Sequence, residues 1–117
     1  MERERFFIMC RELENNQMVY AEVEGKEVFQ VNGFRFFLHE SDKISDVLSG
    51  CLITWWRFGF ESYEKFIDRA KKKIENEFDL YISEVKKALR ARKRFKAIRT
   101  YEEARGCPRL TEQRWNG

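Results

Sequence analysis

At Ser62 the hydrophobic pattern changes its period, and this change limits the fold more than any other feature of the chain. Before it, apolar residues alternate with polar ones in short runs. After it, Phe66, Ile67, Ala70, Ile74, Phe78, Tyr81, Val85, Ala88 and Leu89 recur at spacings of three and four. The first pattern places every second side chain on one face of a strand, and the second places a stripe along one side of a helix. Strands followed by helix, rather than strands alternating with helices, predict an α+β fold with an antiparallel sheet.

The strand region supplies its own punctuation. Arg5 to Leu13 is an apolar run, and Glu14-Asn15-Asn16-Gln17 has turn composition. Met18 to Val23 alternates, and Gly25 is expected to end that strand. Asn32-Gly33 lies between Val28–Val31 and Phe34–Leu38. That dipeptide favours a type I′ hairpin, because both central residues must take positive φ. Ile44 to Leu48 and Cys51 to Phe58 supply two further runs. The expected architecture is an antiparallel meander of four or five strands, packed against a long C-terminal amphipathic helix.

Ser62 is the expected N-cap of that helix, with Glu64 in its first turn. No Gly or Pro follows until Gly106. A continuous helix from 62 to 98 would run about 55 Å at 1.5 Å per residue, too long for a domain of this size. A break near Asn76 to Asp79, or a projecting end, is therefore expected. Thr100-x-x-Glu103 has the form of a capping box, which predicts a short helical turn at Tyr101 to Arg105. The reading is one domain: a sheet over 1–60, a helical region over 61–99 and a tail over 100–117.

Charge is unevenly spread. Residues 86–99 hold eight bases and no acid, whereas residues 1–61 hold eleven acids and seven bases. The net charge of +3 hides this asymmetry. Lys86, Lys87, Arg90, Arg92, Lys93, Arg94, Lys96 and Arg99 repel one another, so the run calls for a neutralising partner. Nucleic-acid phosphates, an acidic protein surface or the chain's own acidic strand region would serve. A second candidate surface is aromatic. Trp55 and Trp56 are adjacent on a strand, so one should face away from the core. With Phe37 they form a candidate protein interface, in a heteromeric complex or a homodimer.

Signals for catalysis are sparse. His39 is the single histidine, and no spacing makes it part of a triad. There is no glycine-rich phosphate loop, and no cofactor or metal is implied. Cys10, Cys51 and Cys107 are too scattered for a zinc site or a disulfide framework, and read as reduced thiols. No membrane-spanning run or signal segment is evident, which gives a cytoplasmic expectation. A small ligand held by Arg35, His39 and Arg57 is a further alternative, if they share a sheet face. The functional expectation is a non-catalytic binding protein that works by occlusion. In size and lack of motif it is similar to the anti-CRISPR proteins, by which mobile elements block host nucleases. No residue pattern carries that likeness.

Overall fold

A computed structural model describes residues 3–11 and 18–91. Five strands precede two helices: β1 (Glu4–Arg11), β2 (Met18–Val31), β3 (Phe34–His39), β4 (Lys43–Asp46), β5 (Leu52–Trp55), α1 (Tyr63–Asn76) and α2 (Phe78–Ala91). The strands form one antiparallel meander in the order β1-β2-β3-β4-β5. The Asn32-Gly33 turn has φ of 51° and 83° at its two central residues, as a type I′ hairpin requires. The capping box at Thr100, Cys107, the Glu14–Gln17 turn and the C-terminal tail lie outside the described residues.

Gly25 does not end a strand. It sits inside β2, where it pairs with Glu4 of β1 on one side and His39 of β3 on the other. Residues before it pair with β1 and residues after it pair with β3, so β2 passes from one neighbour to the other at this position. A bulge between Glu27 and Phe29 adds local twist. A Cβ at Gly25 would lie 2.6 Å from the Leu38 carbonyl oxygen and 3.2 and 3.3 Å from the Phe37 and Phe6 rings. The missing side chain lets those two rings stack across the strand, with centroids 4.2 Å apart and planes 10° from parallel.

The sheet is used on both faces. Phe34 and Phe36 point to the helices, where they meet Phe78 and Tyr81. Phe37 and His39 point the other way, towards Phe6. Phe6, Phe36, Phe37 and Phe66 are all fully buried. Each such side chain contributes roughly 1.5–3 kcal/mol relative to exposure.

After Asp46 the chain makes a tight turn. Gly50 N donates to Asp46 O, and Asp46 N donates to Cys51 O. Gly50, at φ 71°, then packs on β1, where Met9 N donates to its carbonyl at 2.8 Å. A Cβ there would lie 2.8 Å from Phe7 O. The sheet thus curls until the β4–β5 turn reaches β1.

Asp46 holds that turn to the helical layer. Its Oδ2 accepts from Ser49 N at 2.7 Å and from Ser49 Oγ at 2.6 Å, while Tyr81 of α2 donates to its Oδ1. Burial raises its pKa, and these hydrogen bonds partly offset that rise.

The long helix is broken where the length argument placed the break. Ser62 Oγ accepts from Lys65 N at 3.2 Å to start α1, and Glu77, at φ −119° and ψ 36°, separates α1 from α2. The described residues extend at most 41 Å, less than the roughly 55 Å of an unbroken helix from 62 to 98. The corner lets Phe66, Ala70 and Ile74 of α1 and Tyr81, Ile82 and Val85 of α2 enter one core.

Two outcomes follow. Gly25→Ala is expected to destabilise the fold by about 3 kcal/mol, because backbone and two rings must shift to admit a methyl group. Tyr81→Phe should cost roughly 1–3 kcal/mol, by removing a donor from a buried carboxylate. Urea denaturation of each variant reads both.

Candidate functional site

Among the described residues, the large hydrophobic side chains left exposed are Leu52, Trp55, Phe58, Phe60 and Leu80. The first four belong to β5 and the loop after it. The strand expected over Cys51 to Phe58 is cut short at Trp55. Strict alternation also fails within it: Leu52 pairs with Ser45, Thr54 with Ile44 and Trp55 with Lys43, and the register shift leaves Ile53 extra. Lys43 and Ser45 lie two apart on β4. The bulge therefore brings Leu52 and Trp55 to the same face, which unbroken alternation would have divided.

The two tryptophans separate at the end of β5, with Trp55 its last residue and Trp56 just beyond it. Trp55 is 58% exposed. Trp56 turns inward and is half-buried, with its indole N–H donating to Glu61 O at 3.1 Å and its ring against Phe58, Tyr63 and Phe66. Phe37 does not belong to this surface. It is fully buried on β3 against Phe6, so it is a core residue rather than an interface anchor.

The loop's exposed rings stand on a rigid base. Glu61 receives two bonds from Arg69, at 2.8 and 2.6 Å, and one from Arg57 N at 3.0 Å. Arg69 also donates to Thr54 Oγ1 and to Trp55 O, at 2.9 and 3.0 Å. The Arg69 guanidinium draws the Glu61 carboxyl down to about 2. One arginine of α1 thus fixes the end of β5 and the far end of the loop together. Further along β5, Lys73 Nζ donates to Ile53 O at 3.3 Å.

Leu52 also borders a groove of about 520 Å³ between β5 and the helical corner. Its walls include Ile53, Ile74, Leu80, Tyr81 and Val85, with Lys73, Glu77, Glu84 and Lys87 also lining it. Leu52 is thus both an exposed residue of β5 and a wall of the groove against α2. Cys51 lines the groove too, but burial pushes its thiol up, away from the reactive thiolate.

The basic run begins on the same helix. Lys86 is half-buried, while Lys87 and Arg90 are exposed. Lys87 pairs weakly with Glu84 at 3.4 Å across a solvated surface. Arg92, Lys93, Arg94, Lys96 and Arg99 lie outside the described residues.

Arg35, His39 and Arg57 do not converge on a ligand site. Arg35 is bracketed by Glu27 and Glu4, and its contact to Glu4 measures 2.6 Å. Arg57 lies in the loop beyond β5. His39 is 3% exposed, and its Nε2 lies 2.7 Å from Ser45 Oγ. Its Nδ1 lies 3.7 Å from a Glu40 carboxylate oxygen. The order serine, imidazole, carboxylate imitates a hydrolase triad. Ser45, however, is 1% exposed within the sheet, so no substrate carbonyl can approach its hydroxyl in this conformation. Sequence spacing had shown no link between His39 and Ser45. They meet because both point to one face of the β3–β4 hairpin, where Ser45 stands opposite Phe37.

Among the described residues no group of three His, Cys, Asp or Glu side chains could hold a metal, and no helix is long and apolar enough to cross a membrane. No protein-family model, curated protein or solved structure matches the chain.

Burial lowers the His39 pKa below its ordinary 6.5. Below pH 6.5 the unfolded chain therefore binds a proton that the folded chain resists. The stability carried by neutral His39 is complete above that pH and is lost as pH falls towards the folded-state value. The stability from Glu61 is complete above pH 4.5 and is lost as pH falls towards about 2. Asp46 acts in the opposite sense, because its raised value makes ionisation above 3.8 a cost to folding. Urea denaturation between about pH 7.5 and about pH 5 should show wild-type stability falling with acidity. The same series in His39→Gln should be flatter, from a lower starting stability.

Proposed function

We propose that this chain is a non-catalytic binding protein acting by occlusion, and that it covers a protein partner with the surface from the Trp55–Phe60 loop through Leu52 to the groove under Leu80. The observation that carries this reading is the placement of the exposed apolar side chains. Phe60 is 90% exposed and Trp55 58%, beside a loop pinned by the Glu61–Arg69 contact. Large aromatics exposed on a loop whose end is pinned, near an apolar concavity, supply the kind of anchors that interfaces use. A protein that blocks another, such as an inhibitor of a nuclease, needs surface of this kind and no chemistry of its own.

A second reading has its own support. The run of eight bases in residues 86–99 starts on the exposed side of α2 and suits nucleic-acid phosphates or a nucleoprotein complex. On the first reading Lys87, which lines the groove, and Arg90 on the same helix favour an acidic protein partner.

Salt separates the two. Binding to single- and double-stranded DNA and RNA is measured at low and physiological salt, in wild type and in a variant with Arg90, Arg92, Lys93 and Arg94 replaced by alanine. Salt-sensitive binding that disappears in the variant would favour the phosphate reading. Absence of binding to every nucleic acid leaves the protein reading. That reading then expects a partner captured by wild type and retained at high salt. Trp55→Ala with Phe60→Ser should lose it, while changing stability by less than about 0.5 kcal/mol per site. Equal capture by that double variant would count against the aromatic surface.

A further inference from the structure

The only histidine in the chain ends β3, beside the 40–42 turn whose Asp42 carbonyl accepts from Trp56 N. His39 is almost wholly buried, and its Nδ1 has no hydrogen-bond partner. A buried nitrogen left in this state carries a penalty that most native structures avoid. Its nearest charged neighbour is Glu40, whose carboxylate stands 3.7 Å away and is held instead by Lys43 Nζ at 3.2 Å. Glu40 and Ser41 adopt φ of 50° and 71°, both in the left-handed region that non-glycine residues rarely occupy. Two such residues in succession make the β3–β4 turn a strained element of the kind that clusters at switch regions.

The turn is tied directly to the proposed interface. Asp42 receives Lys43 Nζ on its carboxylate at 3.1 Å and Trp56 N on its backbone carbonyl at 2.7 Å. Trp56 packs at a tilt against Phe58, with centroids 4.3 Å apart, at the base of the exposed loop. Other charges on the His39 face are already engaged: Arg35 holds both Glu4 and Glu27. On the remaining side Ser45 occupies Nε2, and the Phe37 ring offers no charge. Glu40 is thus the acceptor positioned for Nδ1.

We propose that His39 is a proton-operated switch for the aromatic surface: a proton on the imidazole draws Glu40 from Lys43 onto Nδ1, and the resulting movement of the 40–42 turn shifts Trp56 and the loop it supports. Neutral imidazole has one N–H, and imidazolium has two. With Nε2 engaged by Ser45, the second N–H must find an acceptor inside the fold. Closing 3.7 Å to the usual charge-assisted distance of about 2.8 Å requires the Glu40 carboxylate to leave its present position. The proposal rests on the reading of the Trp55–Phe60 loop as the binding surface and supplies a regulation for it.

The test is nuclear magnetic resonance on the full chain, from about pH 7.5 to about pH 5, following the imidazole and the backbone amides. One histidine means one imidazole titration. Wild type should show the His39 midpoint below 6.5, and the Trp56 amide should move with the same midpoint. In Glu40→Gln, a change at an exposed turn position, the His39 midpoint should shift further down and the Trp56 response should disappear. In His39→Gln the pH response of Trp56 should be absent altogether. A Trp56 amide indifferent to the His39 titration, or one that moves equally in Glu40→Gln, would overturn the proposal. So would simultaneous loss of all native amides at the His39 midpoint, because the proton would then open the fold rather than the turn. No partner enters this measurement, so its failure is separate from failure of the proposed interface.

Discussion

The buried carboxylate of Asp46 is the interaction on which the other features depend. A charge in this position is favourable only if its oxygens are fully engaged. Ser49 occupies one and Tyr81 the other, so the turn after β4 and the first turns of α2 are fixed relative to each other. The remaining geometry follows from that turn. It delivers Gly50 to the backbone of β1 and so closes the curl of the sheet. It also sets where β5 begins, and with it the bulge that brings Leu52 and Trp55 to one face. An apolar pair of the same size could pack there, but it would not specify one turn geometry against its alternatives.

Much of the architecture was legible in the residues, because it depends on local rules. The change of period at Ser62, the Asn32-Gly33 turn and the length limit on the helix each act through neighbours in sequence, and each corresponds to an observed element. Gly25 misleads for the same reason. A glycine in an alternating run resembles a break, and its actual role is to make room for Phe6 and Phe37, which come from two other strands. Phe37 reads as a surface residue because alternation along β3 sets it on the face opposite Phe34 and Phe36. The curl of the sheet buries that face, and nothing local encodes the curl.

The candidate site was legible only in outline. That one of two adjacent tryptophans must point outward is a property of strands, and Trp55 does so. Which one depends on the bulge at Ile53, a matter of register between β4 and β5. The contact of His39 with Ser45 and the grip of Arg69 on Glu61 join residues six and eight apart through tertiary geometry, so no motif could announce them. The basic run was the plainest chemical signal in the sequence. The described part of α2 carries its first three bases, on the helix that also walls the groove.

The side chains of α1 that reach across β5 have a consequence for how this molecule can be approached. Arg69 and Lys73 sit on the Trp55 and Ile53 carbonyls, which are the acceptors that an added strand would use. A sheet edge covered by fixed cations cannot readily be extended by another backbone, in a partner or in a second copy. Association on this side must therefore be written in side chains, and its specificity is open to change one residue at a time without disturbing the ladder beneath.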